Sequence, residues 1–388
     1  KQRMSDSQGF QIIFIFTCLI FAIVLFSHRK FSYIDRVTEN DRNTRLDSLR
    51  FLMSSFVAFH HFIFSYHLVN SGQWIIPNHP IEEFAGKFGV AIFFMISGYL
   101  FVKCIEKKVN WLTFFIKRFF RIWPVCALSS VICILIVIYI EIKNNIPLNT
   151  DGIMQWFDGG LIIDTRPNLG YEHSTLINAG VTWTLYYEWV FYFSLPFISL
   201  FSSKNKSSQI LLSIVFLSIY IFSKYDYLLS CFILLFALGG MAKKIREQIS
   251  NVNQHTVNIL AVTSFILCFY FGYKENPFTI SMIFLYFVFF LSVCLGADIF
   301  GVLRLKGIIR LGDVSYSIYL LHGIFWFIMN KLIFSAGFEN SQAIYYTASF
   351  LTWIFICVFS SIVYALLEVK FIHIGNIICK KITNSNIQ

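Results

Sequence analysis

Charge is scarce in this sequence. Of 388 residues, 13% are Asp, Glu, Lys or Arg, against about 25% in a typical soluble domain. There is no Cys-x-x-Cys pair and no metal-like Cys/His spacing. A zinc site and a redox pair are therefore not supported. There is also no glycine-rich phosphate loop and no Gly-x-Ser-x-Gly elbow. Nucleotide-loop and α/β-hydrolase chemistry lose their usual carriers. What is abundant is apolar: 57% of the chain, 19% aromatic, with 46 Phe and a mean hydropathy of +0.66. Such a chain is neither a soluble globular enzyme, nor disordered, nor a nucleic-acid-binding module. The nine cysteines lie mostly within apolar runs and read as small buried hydrophobes.

The expected class is an all-α polytopic membrane protein. Eleven apolar segments stand out, at 10–27, 47–70, 88–104, 122–141, 181–201, 208–223, 226–242, 256–273, 277–297, 313–335 and 344–367. Each approaches the ~20 residues that a spanning helix needs. The first is followed by His28-Arg29-Lys30 and by no small-residue cleavage site, so it reads as a span and not a signal peptide.

The net charge is +10, from 31 Lys and Arg against 21 Asp and Glu. Its distribution points to membrane topology more than to a polyanion partner. With the N-terminus outside, most basic residues fall on the cytoplasmic side, including Arg29, Lys30, Arg36, Arg42 and Arg45, then Lys103, Lys107, Lys108 and Lys117. That is the positive-inside pattern, and it puts the C-terminus in the cytoplasm. The loop at 28–46 is then cytoplasmic. The long segment 142–180 is external and long enough to cover an outward-facing cleft. Residues 1–45 read as an added helix and basic loop, 46–370 as the main membrane domain, and 371–388 as a cytoplasmic tail.

Ionisable groups within spans are costly, at least ~2.5–3.5 kcal/mol for a central charge, and so become functional candidates. Few occur here: Arg50, His60 and His61 on the second span, Glu188 on the fifth, His322 on the tenth. Glu141 and Glu368 lie near span ends, where a side chain can reach water. Arg50 and His61 are eleven residues apart, which puts them within about 20° of one helix face and ~16 Å apart along the axis. Asp47 shares that side, and His60 points about 80° away. His322 enters its own span to a depth similar to that of His61, with Ser315 and Tyr319 on its face. A shared polar cavity is one reading; a hydrogen-bonded interior histidine on each helix is the plain alternative. Glu188 is expected some seven residues in from the outer surface. The amphipathic stretch 114–124 places Arg118 and Arg121 on one face, either as an interfacial helix or as a fork for phosphates.

Five motifs in register carry a resemblance across about 46–370. They are Leu46-Asp47-Ser48-Leu49-Arg50 with His61 following; Gly89 through Leu100; Arg118-Phe119-Phe120-Arg121-Ile122-Trp123-Pro124; Trp183-Thr184-Leu185 through Glu188 and Phe191-Tyr192; and Ser315 through His322. Together they resemble the acyltransferase-3 family of integral-membrane O-acyltransferases. The sequence departs from the family pattern at Ser48, where Gly is usual, at Ala91, where an Asp is frequent, and in the added span 10–27.

The resemblance implies a ten-helix core in a bacterial cytoplasmic membrane. It implies transfer of an acyl group, usually acetyl from acetyl-CoA, to a hydroxyl of an extracytoplasmic or lipid-linked saccharide, such as surface polysaccharide, O-antigen lipopolysaccharide or another glycolipid. No metal is implied. Arg118 and Arg121 would hold the nucleotide phosphates and Arg50 would line the donor entrance. His61 would serve as general base or acyl relay. Glu188, near the outer side, would orient the acceptor or pair with a protonated histidine. His322 and Tyr319 would add polar contacts, and Asp47 and Trp183 fall on the substrate side. The rival reading is a polytopic transporter or flippase, which needs buried His and Glu but no paired arginines. A protein that only binds polysaccharide machinery would leave Arg50 and His61 on one face unexplained.

Overall fold

A computed structural model describes residues 8–35, 43–77, 79–147, 149–162, 166–225, 227–249, 251–274 and 276–385. Arg36 and Arg42 of the basic loop lie outside these. Among the described residues the chain is helical with no strands. The helices are α1 (Gln8–Ser27), α2 (Thr44–Ser71), α3 (Pro80–Phe101), α4 (Trp111–Asn144), α5 (Trp183–Phe201) and α6 (Ser207–Tyr225). They continue with α7 (Leu228–Gln248), α8 (Gln254–Gly272), α9 (Ile280–Leu295), α10 (Lys306–Ser335), α11 (Gln342–Val363) and α12 (Val369–Ser385).

Each of the eleven apolar segments falls on one of α1 to α11. Among the described residues, nine helical stretches are long and apolar enough to cross a membrane. The 16-residue α9 is shorter, and α5 is made less apolar by its tyrosines, tryptophans and Glu188. The protein is an all-α polytopic membrane protein. Helix starts are set by local chemistry: the Asn110 side chain accepts from Thr113 N at 3.1 Å to open α4, and Pro80 opens α3. Gly72, in the left-handed region at φ 70°, closes α2.

Helices α2 and α10 form the central pair. They cross at Gly312, where a side chain would collide with the backbone of Asp47. Small residues at such crossings let membrane helices approach closely. Helix α1 and a 3-10 turn (Arg29–Ile34) are clamped to α10 by Arg310, which is only 2% exposed. Its guanidinium donates to Asp35 at 2.7 and 2.9 Å and to the carbonyls of Phe26 and His28 at 2.8 Å.

One expectation changes. The stretch 114–124 is not a separate interfacial helix: it is continuous with the fourth span in the 34-residue α4. This puts Arg118 and Arg121 on a membrane helix, with Pro124 accommodated within it. The segment 371–388 is helical as far as Ser385, because α11 runs through a π turn (Tyr364–Glu368) into α12, which packs along α4.

The segment 142–180 does more than cover the bundle. It dips between α4 and α5. Trp156 is fully buried, and Ser130 of α4 donates to its carbonyl at 2.5 Å. Trp123 donates to Phe157 O at 2.9 Å, and Trp189 donates to Gly159 O at 3.1 Å. Asn178 donates to Ser129 Oγ at 3.3 Å, and Gly323 of α10 leaves room for the Asn178–Ala179 backbone. Irregular backbone is tolerated at this depth because protein groups satisfy its polar atoms.

Candidate functional site

The re-entrant segment decides where α5 begins. Thr184, in its first turn, shares a 2.8 Å hydrogen bond with the Tyr319 hydroxyl. Tyr319 lies thirteen residues into α10, which is ~20 Å along the axis. Helix α5 therefore starts in the middle of the bundle, and Glu188 lies one turn further toward the Arg50 end. This corrects the placement of Glu188 near the outer side: the spacing from the span start is right, but the start itself is buried.

Glu188 faces a cavity of about 900 Å³, counted with its mouth. Arg50 of α2, Arg118 and Arg121 of α4, Thr184, Glu188 and Tyr192 of α5, and Ser315, Tyr316 and Tyr319 of α10 all contribute to its wall. Helix α3 supplies the apolar side through Val90, Phe93 and Phe94. Each arginine is held differently. Arg50 donates to Asp47 Oδ1 at 3.1 Å, one turn back on the same helix. The Arg118 guanidinium lies over Phe101, 4.9 Å from the ring centre, and its Nε has no hydrogen-bond partner. Arg121 pairs with Glu368 and lies 5.5 Å from the Tyr316 ring. Glu188 accepts from the Tyr192 hydroxyl. The guanidiniums give the pocket a cationic wall, and Arg is the side chain whose fork best matches phosphate oxygens.

The two histidines expected at matching depth meet. His61 Nδ1 and His322 Nε2 are 2.9 Å apart, with the rings nearly parallel. Their partners fix the protons. His322 Nδ1 lies 3.0 Å from the Ile318 carbonyl, which can only accept, so that nitrogen carries hydrogen. In the neutral ring, Nε2 of His322 is then an acceptor, and His61 Nδ1 must donate to it. This leaves Nε2 of the half-buried His61 with a free lone pair. His322 is fully buried.

The pair lies beside the cavity rather than in its wall. Tyr319 connects them: it lines the cavity and its ring centre is 6.1 Å from that of His322. On the far side, His61 packs against Trp74, at 6.0 Å between ring centres. His60 turns away as expected, with Nδ1 3.0 Å from Glu82 O. Asp47 serves Arg50 and is not on the cavity wall. Trp183 also lies off the wall, packed on Tyr187 and Phe232. Among the described residues, no group of three or more His, Cys, Asp or Glu could hold a metal ion.

Glu368, which reads in the sequence as a residue at a span end, belongs to the site. It is fully buried, and its Oε2 accepts from Ser317 at 2.9 Å. Tyr192 and Tyr316 are parts of the wall that nothing in their sequence context marks as such. The available signal for Glu368 was its acidity at the edge of an apolar run. What hid it was the continuation of the helix beyond that run.

The fold defines a polytopic membrane protein with an arginine-lined cavity inside its helical bundle, and sequence comparison supplies the class of activity. The family model for the acyltransferase-3 family, an acyltransferase domain, matches residues 43–368. The chain belongs to that family and is a membrane acyltransferase. No curated protein and no solved structure matches it.

Proposed function

We propose that this protein transfers an acyl group, acetyl in the first instance, from acyl-CoA to a hydroxyl of an extracytoplasmic or lipid-linked saccharide, with His61 as the base. The observation that carries the role of His61 is its hydrogen bond to His322, which leaves Nε2 with its lone pair on an imidazole pair that Tyr319 joins to the arginine-walled cavity. A Lys/Arg-rich end of the bundle faces the cytoplasm. Arg118 and Arg121 then meet the anionic part of the donor, with Arg50 at the same end. The thioester reaches inward toward Tyr319.

His61 Nε2 takes the proton of the acceptor hydroxyl as the oxygen attacks the thioester carbonyl. The new C–O bond forms, the C–S bond breaks, and the departing thiolate takes the proton back from Nε2. Throughout, Nδ1–H stays on His322, which supports the imidazolium that forms transiently. A positioned base of this kind contributes typically 10²–10⁴-fold. The same lone pair could instead attack the thioester and carry the acyl group as an acyl-imidazole. Glu188 lies in the donor cavity and so is better suited to ordering the arginines and Tyr192 than to holding an acceptor.

The test is transfer of radiolabelled acetyl from acetyl-CoA to cell-surface glycan in membranes carrying wild type or His61→Ala. Label incorporated by wild type alone supports the reading. Equal label with both removes His61 from the chemistry.

A further inference from the structure

Helix α11 does not end cleanly. Between Tyr364 and Glu368 it widens into the π turn that joins it to α12. Such turns take up one extra residue and recur at functional sites. Here the wide turn ends on a carboxylate that is fully buried. One oxygen of Glu368 accepts from Ser317 of α10 at 2.9 Å, and the other meets Arg121 Nη1 on α4. Ser317 neighbours Tyr316, whose hydroxyl donates back to Ile122 O of α4 at 2.7 Å. Three helices thus converge on the arginine that forms part of the cavity wall.

A buried carboxylate is expensive unless it is paired. Nothing in simple span packing requires one there. The Arg121 side chain is 24% exposed while its partner is wholly enclosed. The carboxylate therefore holds the guanidinium from its buried side, while Arg121 itself forms part of the cavity wall. A long, flexible arginine loses side-chain freedom when it binds a ligand. One held in place beforehand loses less, and this is where preorganisation gains affinity.

We infer that Glu368 is a positioning residue for the donor site, holding Arg121 in the orientation that receives the phosphates of acyl-CoA. This rests on reading the cavity as the donor site. The residue touches no reacting atom. Its effect falls on recognition of the nucleotide end of the donor and not on the thioester end.

The test compares two probes on the purified full-length protein: CoA, which carries the phosphates of the nucleotide, and pantetheine, which lacks them. Each competes with radiolabelled acetyl-CoA for binding. Wild type should prefer CoA strongly. Glu368→Gln should weaken CoA about 10-fold and leave pantetheine unchanged. Ser317→Ala keeps every charge but frees one side of the carboxylate, and should produce a smaller loss of the same selective kind. It also serves if Glu368→Gln does not fold. Equal weakening of both probes would mean a merely structural role and overturn the inference, as would unchanged or tighter CoA binding. A wild type that does not prefer CoA would instead defeat the donor-site reading itself.

Discussion

His61 donates through Nδ1 to Nε2 of His322, at 2.9 Å, and His322 in turn donates to the carbonyl of Ile318. The order of protons runs one way along this chain because a carbonyl cannot donate. It leaves the nitrogen of His61 opposite to His322 as the basic one. His322 therefore acts through His61, as an acceptor that fixes a tautomer.

That role is separable from acid–base chemistry by substitution at His322. Gln can present an oxygen acceptor to His61 Nδ1; Ala cannot. His322→Ala should lose roughly 10²-fold or more in acyl transfer, within the range for a misplaced base. His322→Gln should recover a clear part of that loss. Initial rates of labelled acetyl transfer in membranes, normalised to protein amount, check this. If Gln and Ala behave alike, the acceptor role is wrong.

Arg118 should be sensitive to the shape of its cation and not only to its charge. Its guanidinium lies over Phe101 at 4.9 Å, and Nε is without a hydrogen-bond partner. Lysine keeps the charge but loses the planar fork. Arg118→Lys should raise the apparent KM for acetyl-CoA about 10-fold with a smaller change in kcat. Donor titrations at fixed acceptor membranes distinguish this from a loss confined to kcat, which would place Arg118 away from donor binding.

Much of this arrangement was legible in the residues. Apolar runs located α1 to α11, because membrane insertion demands them whatever the tertiary contacts. Helical spacing placed Arg50 and His61 on one side, and a matched depth for His322 anticipated the imidazole contact. The depth of Glu188 is not legible because the sequence does not reveal that residues 174–182 re-enter the bundle. They are held there by side chains from elsewhere in the chain: Asn178 donates to Ser129, and the Tyr319 hydroxyl donates to Val181 O. The burial of Glu368 is hidden for a similar reason. A residue at the edge of an apolar run looks solvated until α12 is seen to continue the helix and fold along α4.

The N-terminal helix should contribute to stability through a pair that titrates. Asp35 accepts from Arg310 at 2.7 and 2.9 Å. The hydrogen bond from Arg310 holds its carboxyl below the ordinary value, helped by the charges of Arg310 and Lys306 against the opposing effect of burial. A depressed carboxylate stabilises the folded state at pH values above its unfolded pKa of about 3.9, and that contribution is lost as pH falls through the lower folded value. Asp35→Asn should therefore destabilise the folded protein in detergent at pH 7 by on the order of 1–2 kcal/mol, the range for a charged hydrogen bond partly screened by water, and so lower its thermal midpoint. The gap between variant and wild type should narrow as the pH approaches 3. A gap that stays constant from pH 7 to 3 would assign the effect to something other than this ion pair.

Gly312 sets how closely the two histidine-bearing helices approach. A methyl group there would strike the backbone of Asp47, and backbone cannot swing aside as a side chain can. Helices α2 and α10 would have to separate near their Arg50 ends. That displacement should be carried along both rigid helices to the point where His61 meets His322, since packed interiors transmit strain. Gly312→Ala should cost about 1–3 kcal/mol, the range for overpacking. It should also lower transfer by more than Asp35→Asn does at equal loss of thermal midpoint. Measuring both quantities on both variants is decisive. A Gly312→Ala protein with a wild-type midpoint and full activity would mean that the helix crossing is looser than the contact at Asp47 requires, and that the 2.9 Å histidine contact does not depend on it.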